Sequence, residues 1–299
     1  MNITNFIINN FIDAVYCVGY RTCQQNFWNE KISHFEVLKP GLRYWYADPI
    51  PCSINGNDYV FVEKYDRFKQ IGYIGVSKMQ KGRLQKPRTI IKGKTHMSFP
   101  LVISYKGEYY MFPESSETKS IEVFKMVNGP YQWEHYYSFK IDEKVVDIAI
   151  REKNDSLLML VGIVDENPLY TKRQIIQVKN LERRDKITFN VGYTDKVASL
   201  KVRNGGNFQG DYRVVQESTE KDYGMYLILN KVNEFDEEKI IETFYSRKTV
   251  SDIDADLSKL RYRKIGIHTY GRNCNNLEVI DVAATQLSIH PFIRKRKNK

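Results

Sequence analysis

His96-Met97-Ser98-Phe99-Pro100-Leu101-Val102-Ile103-Ser104-Tyr105-Lys106-Gly107-Glu108-Tyr109-Tyr110-Met111-Phe112-Pro113-Glu114-Ser115-Ser116 reads as two strands around a turn. Residues 101–105 form a β-branched and aromatic run, Lys106-Gly107 is the turn, and residues 109–112 are the return strand. Pro100 and Pro113 close the two ends, where a missing N–H costs least. Glu114 stands just past the second strand, where a carboxylate either faces a cleft or is a solvated loop acid.

The plan recurs along the chain. Asn55-Gly56-Asn57-Asp58 joins the stretch around Asp48-Pro49-Ile50 to Tyr59-Val60-Phe61-Val62-Glu63, and Lys153-Asn154-Asp155 follows the run 145–150. Gln209-Gly210-Asp211 and residues 273–276 supply two more turns. Five modules result, at a repeat of ~50–60 residues, which is the spacing of propeller blades rather than of short solenoid repeats. Each blade has an apolar face that a neighbour must cover, and closing the ring removes the exposed edges. The expected fold is all-β, a five-bladed β-propeller over residues 41–290. A segment 1–40 packs on it and a basic tail, 291–299, follows. Residues 5–20, with Phe6, Ile7, Phe11, Ile12, Val15 and Tyr16, carry the period of a short amphipathic helix. Residues 236–243 and 252–260 read as locally helical or irregular.

The 299-residue chain has 42% hydrophobic residues, 21 Tyr and 15 Phe, which leans towards strands and is enough for a large core. Its formal charge of +10 suggests an anionic partner, such as nucleic acid, a membrane surface or a phosphorylated substrate. The aromatics follow strand periodicity and no nucleic-acid motif, so no nucleic-acid partner is expected. The one basic cluster, Arg294-Lys295-Arg296-Lys297-Asn298-Lys299, is either a solvated tail or a peripheral contact with acidic lipid headgroups. Cys17, Cys23, Cys52 and Cys274 lack metal-ligand spacing and read as reduced thiols of a cytoplasmic protein, which the basic tail would hold peripherally at the inner membrane face. Asn9, Asn10 and Asp13 interrupt any secretory apolar region, and no run is long enough to span a membrane. With no Gly-rich phosphate loop, zinc motif or Cys/His nucleophile pattern, neither cofactor nor metal is expected.

The first strand of each propeller blade lines the axis, and its N-terminal residues gather at one mouth. The residues opening the five modules are Asp48, Ser98 with Pro100, Asp147, Arg203 with Asn207, and His268. Two carboxylates, an Arg, a His and nearby aromatic rings suit a sugar. Carboxylates accept from hydroxyls, and rings stack on the apolar sugar face. The same set suits acid–base chemistry at an anomeric carbon. Asp147 lies in the apolar run 145–150, where an acid is costly unless paired or facing a channel. Asp48 before Pro49 also reads as a turn pair, and His268 as a structural histidine. Arg203 and Arg213 are anion binders or strand-end charges; Glu63 is a third carboxylate of the mouth or a hairpin acid.

The chain resembles the five-bladed propeller found as the N-terminal domain of plant glucosamine inositolphosphorylceramide transferases and as stand-alone proteins of bacterial surface-polysaccharide gene clusters. The matching pieces are Ala47-Asp48-Pro49, Ser98-Phe99-Pro100, Gly107-Glu108-Tyr109-Tyr110-Met111-Phe112-Pro113-Glu114-Ser115, Val146-Asp147 and Arg203-Asn204-Gly205-Gly206-Asn207-Phe208. Tyr212-Arg213-Val214-Val215-Gln216, Tyr223-Gly224, His268-Thr269-Tyr270 and Val279-Ile280-Asp281 complete the set, in the family order. Gly205 stands where Ala is usual and Val214 where Pro is usual. The fold implied is also like that of furanosidase-type glycoside hydrolases. That likeness makes Asp48 the base or nucleophile and Asp147 the acid that tunes or orients the site. The hydrolase general acid is a Glu before Gly-Pro, whereas Asn204 precedes Gly205-Gly206 here. An amide delivers no proton, so Glu114, Glu63 or Glu217 would have to substitute.

The resemblance and the residues together imply a carbohydrate-active protein of surface polysaccharide (capsule) or glycolipid biosynthesis, acting by glycosyl transfer. Asp48, Asp147 and Glu114 are the candidate catalytic residues. Glu63, Arg203, Asn207, Arg213, Gln216, Tyr223 and His268 form the candidate substrate-binding set. The partners expected are a sugar or glycolipid substrate, an activated sugar donor and a separate glycosyltransferase. Two alternatives stand beside this: a glycoside hydrolase with a non-standard acid, and a non-catalytic sugar-binding propeller serving a transferase.

Overall fold

The computed structural model describes residues 12–164, 170–194, 202–220, 222–255 and 263–287. The chain opens with β1 (Ile12–Thr22) and β2 (Ser33–Leu38). The first blade follows as β3 (Tyr44–Ile54), β4 (Asn57–Asp66) and β5 (Ile71–Gln80), with the short β6 (Arg83–Leu84) and β7 (Arg88–Ile91) both pairing with β5. The second blade is β8 (Ser98–Tyr105), β9 (Glu108–Glu114), β10 (Ser120–Met126) and β11 (Trp133–Lys140). The third is β12 (Lys144–Lys153), β13 (Ser156–Val164), β14 (Thr171–Lys179) and β15 (Thr188–Thr194). The fourth is β16 (Val202–Gln209), β17 (Tyr212–Glu217), β18 (Tyr226–Phe235) and β19 (Ile240–Thr249). After β20 (Ile253–Ala255), β21 (Arg263–Arg272) and β22 (Leu277–Leu287) build the last blade with the N-terminal strands, in the order β20-β2-β1-β22-β21. The protein is a five-bladed β-propeller, and among the described residues it has no α-helix.

The turns explain the registers. Asn55 and Gly56, and Lys106 and Gly107, all have positive φ, the conformation of a two-residue hairpin turn whose twist matches the strands. Asn154 and Asp155 do the same between β12 and β13.

The ring is closed by the chain's two ends. β1 pairs with β22 through eleven consecutive residues, from Ile12 opposite Leu287 to Thr22 opposite Leu277. This corrects the helix expected over residues 5–20: its described part is a strand. Val15, Cys17 and Val18 are buried because β1 is interior to its sheet, with β2 on one side and β22 on the other. A strand buried on both faces carries apolar residues without strict alternation, which is hard to distinguish from a short helical period. Of the segment 1–40, the described strands β1 and β2 are therefore part of the last blade, and Phe27, Trp28 and Phe35 pack in one core cluster with Ile280 and Val282. Of the two stretches expected to be helical or irregular, 236–243 is irregular up to residue 239 and strand β19 from 240, while 252–260 starts at the end of a short 3-10 helix and continues as β20, residues 256–260 lying outside the described residues. The basic tail, 291–299, lies outside the described residues.

The five innermost strands share an irregularity. Each loses register with its neighbour near one end: Ala47/Ile50, Ser98/Leu101, Val146/Ala149, Asn204/Phe208 and Ile267/Tyr270. Pro49 and Pro100 fall inside these bulges, and Pro113 lies opposite the second. The missing N–H groups thus sit where the ladder is already broken.

Candidate active site

Asp48 and Asp147 are bulge residues of the first and third blades, and both take a left-handed backbone, φ 49° and 42°. Asp accepts that conformation at lower cost than most residues. Phe99, at the matching place in the second blade, has φ 42°. The bulges turn side chains and amides towards the axis, and blades distant in sequence meet there.

Asp48 is almost fully buried and held from three sides. The Phe99 N–H donates to Oδ2 at 3.2 Å, the Thr269 hydroxyl donates to Oδ1 at 3.0 Å, and His268 Nε2 lies 3.5 Å from Oδ1. Behind it, Asp281 on β22 accepts from the Asp48 N–H at 3.0 Å and from the His268 and Thr269 N–H groups. His268 Nδ1 sits 2.6 Å from Asp281 Oδ2, an ion contact in which the ring N–H is not aligned for a hydrogen bond. Burial pulls the imidazole's pKa down, but Asp281 and then Asp48 and Asp147 overcome it and lift it to about 9. Burial pushes the Asp48 carboxyl up to about 6, with the His268 charge pulling it back. One ligand atom each from Asp48, His268 and Asp281 lie within 4.8 Å of one another, a spacing that also suits a cation. An imidazolium between two carboxylates satisfies the same geometry, and the raised basicity of His268 favours it.

A second cluster bridges the second, third and fourth blades. Arg203 Nε donates to Asp147 Oδ2 at 2.5 Å and Nη2 to Glu114 Oε2 at 3.1 Å, while the Asp147 N–H donates to the same Glu114 oxygen at 3.0 Å. Burial raises Asp147 to about 7 against the pull of Arg203. Asn204 donates to the carbonyls of Asp147 and Leu160, at 2.6 and 2.9 Å, and so locks the bulge. Arg203 also lies over the Tyr223 ring, 5.4 Å from its centroid.

Glu63, on β4 opposite Ala47, is 5% exposed. Its Oε1 is buried with no hydrogen-bond partner, although His96 Nε2 comes to 3.4 Å. Burial, then Asp48, Glu114 and Asp281, raises its carboxyl well above the usual range.

Rings line this end. Tyr16 stacks on His268 at 4.8 Å and leans on Trp45 at 5.3 Å; Trp45 stacks on Tyr65 at 4.4 Å; Tyr65 tilts towards His96 at 6.0 Å. Tyr16 belongs to the closing strand, opposite Ala283, which itself faces Gly266, so small neighbours leave its ring room to reach the inner strand. Tyr223 meets His268 edge-on at 5.5 Å and is 37% exposed. The Gly224 carbonyl accepts from the Ile267 N–H at 2.8 Å, which pins the Tyr223 loop beside His268. Gly224 has φ 65°, and a Cβ there would lie 2.9 Å from the His268 Cβ.

Of the residues singled out in the sequence, Asp48, Asp147, Glu114, Glu63, Arg203, Tyr223 and His268 converge at this end. The other three make structural contacts. Asn207 Oδ1 accepts from the Ile150 N–H at 2.9 Å, a strut between β16 and β12. Arg213 is buried in a bidentate pair with Glu242, at 2.5 and 2.7 Å, and donates to Asn204 Oδ1. Gln216 is buried and donates to the Ser218 hydroxyl at 2.7 Å. Sequence reading missed Asp281, Thr269, Tyr16, Trp45 and His96. For Asp281 a signal existed: an acid inside the apolar run 277–284, the same pattern that marks Asp147.

The backbone is similar to an exo-β-1,3-galactanase of Phanerochaete chrysosporium, solved with β-1,3-galactotriose (TM-score 0.51, 9% identity, covering 92% of this chain and 67% of that one). It is also similar to the catalytic domain of a GH62 α-L-arabinofuranosidase from Coprinopsis cinerea (TM-score 0.50, 8% identity, 91% and 98% covered). At such identities the likeness is one of fold. Glucosamine inositolphosphorylceramide transferase 1 of Arabidopsis thaliana is 36% identical over 89 residues, which is 29% of this chain and 12% of that protein. The family described as glucosamine inositolphosphorylceramide transferase 1, N-terminal, matches residues 43–255, well over half of the sequence, and the chain belongs to that family.

Proposed function

We propose that the axial end of the inner strands binds a sugar and acts on its glycosidic C–O bond, transferring the glycosyl group within the assembly of a surface polysaccharide or glycolipid. The observation that carries this reading is Asp48. A buried carboxylate costs several kcal/mol unless it is paired and hydrogen-bonded. This one is fixed by the Phe99 amide, the Thr269 hydroxyl and the His268 cation, beside exposed aromatic surface on Tyr223. Such pre-organisation suits a base, or a stabiliser of positive charge, at an anomeric carbon. Asp147, Glu114 and Arg203 form one rigid unit that receives ring hydroxyls. Membership of the family of a transferase's N-terminal part supports transfer over hydrolysis, and we propose that the work is done in the cytoplasm beside the membrane that carries the acceptor.

The test compares wild-type protein with Asp48→Asn on a panel of oligosaccharides, glycolipids and nucleotide-sugars, following binding and turnover separately. The expected result is retained binding with turnover reduced by about 10² or more. Unchanged turnover in the variant removes Asp48 from the chemistry. Sugar binding without turnover of any compound by the wild type makes the propeller a binding module.

A further inference from the structure

Glu63 is an unusual carboxyl group for its surroundings. It is buried, its Oε1 receives no hydrogen bond, and no guanidinium or ammonium group pairs with it among the described residues. The His96 imidazole is in contact with it, and the groups coupled to it electrostatically are the carboxylates of Asp48 from β3, Glu114 from β9 and Asp281 from β22 and the phenols of Tyr16 from β1 and Tyr65 from its own strand. An ionised carboxylate there would be desolvated, unpaired and repelled by its neighbours; a neutral carboxylic acid would not.

His96 is held in the tautomer that complements such an acid. The Gly72 N–H donates to His96 Nδ1 at 3.0 Å, so the ring hydrogen is on Nε2, 3.4 Å from Glu63 Oε1. Burial, opposed by Glu117, keeps His96 neutral by lowering its basicity. The absence of a side chain at position 72 makes the arrangement possible. A Cβ there would lie 2.8 Å from Glu63 Oε1, 2.8 Å from His96 Cε1 and 2.5 Å from the Met97 carbonyl oxygen.

We propose that Glu63 is the proton donor of this site, with His96 as its positioning residue, and that the sugar arrives as a neutral glycoside whose leaving atom is an alcohol oxygen. The proposal rests on the glycosyl reading above. As the anomeric C–O bond breaks, its electron pair goes to the departing oxygen and Glu63 gives that oxygen its proton. The acceptor hydroxyl forms the new C–O bond and loses its proton to Asp48. Exchange with solvent returns a proton to Glu63 and takes one from Asp48, so the net reaction is one alcohol replacing another. His96 Nε2–H then faces the new Glu63 carboxylate and stabilises it.

The charge of the site sets the donor class. Its acids are Asp48, Glu63, Glu114, Asp147 and Asp281, and its cations, among the described residues, are Arg203 and His268, each already lodged against two carboxylates. A nucleoside diphosphate needs cations for its phosphates and no acid for its leaving group. An alkyl glycoside needs the acid and no cation.

Two measurements on the full chain test this. Carboxyl-carbon NMR of wild type, with Glu63→Gln to assign the signal, is expected to show Glu63 protonated at pH 7; an ionised Glu63 overturns the proposal whatever the activity. Turnover is then compared on p-nitrophenyl and methyl glycosides, whose leaving groups differ in their need for a proton. Glu63→Gln is expected to lose about 10² or more on methyl glycosides while keeping p-nitrophenyl turnover within a few-fold; Asp48→Asn is expected to lose both. Equal loss on the two classes, or none, with wild type active, overturns the role of Glu63 and leaves the glycosyl reading standing. A wild type inactive on every neutral glycoside but active on a nucleotide-sugar overturns the proton donor and keeps the glycosyl reading; a wild type inactive on all of them removes both.

Discussion

Asp48 and Asp147 each combine a left-handed backbone with a buried carboxyl, two unfavourable features that persist only where the surroundings over-determine them. Both were legible in the sequence, one as a module start and one as an acid in an apolar run. Arg213 was legible as a charge but not as half of a buried pair with Glu242, because its partner lies two strands away. Asn204 likewise stands where an acid was sought, and serves as the clamp on the Asp147 bulge. Two predictions belong at this scale. Gly72→Ala should destabilise the fold by roughly 1–3 kcal/mol, read by urea denaturation, because its Cβ has nowhere to go. The second concerns pH. The raised pKa values of Asp48, Asp147 and His268 mean that the native state binds protons more tightly than the unfolded chain. Their stabilising contributions are present at low pH and are lost as pH rises through about 6, 7 and 9 in turn. Stability should therefore fall across that range, and His268→Gln should remove the part of the decline above about pH 7.

At the scale of elements, strands and hairpin turns were readable because their residues announce them locally: Asn55-Gly56 and Lys106-Gly107 each fix a turn by φ alone. That the ring closes was readable from the repeat, but which strands close it was not. Pairing β1 with β22 joins residues up to 275 positions apart (Ile12 with Leu287), and nothing in either strand names the other. The closing strand also sets Tyr16 over His268, so closure and site assembly are one event. Its packing is tight at Gly19, where a Cβ would lie 3.0 Å from Ile280 and 3.2 Å from Phe35. Gly19→Val should lower stability by about 1–3 kcal/mol in thermal or urea unfolding and should weaken sugar binding through Tyr16 and His268. A variant as stable as wild type would show that the seam does not limit the ring.

The whole molecule carries a formal +10, yet its axial end is rich in carboxylates. Net charge describes the outer surface and predicts weak, non-specific attraction to polyanions, which salt screens within about 10 Å at 0.1 M. Retention on a heparin column should collapse at moderate salt. Affinity for a neutral oligosaccharide should change little over the same range, since hydroxyl hydrogen bonds and ring stacking carry it. The most direct test of a sugar site at this end is calorimetric titration of neutral oligosaccharides into wild type, Asp48→Asn and Tyr223→Ala. Tyr223 offers the exposed ring at the site, and loss of its face should weaken binding about tenfold. Asp48→Asn should bind within a few-fold of wild type. Equal affinity in wild type and Tyr223→Ala would contradict the account, because the sugar would then be bound somewhere other than the axial end.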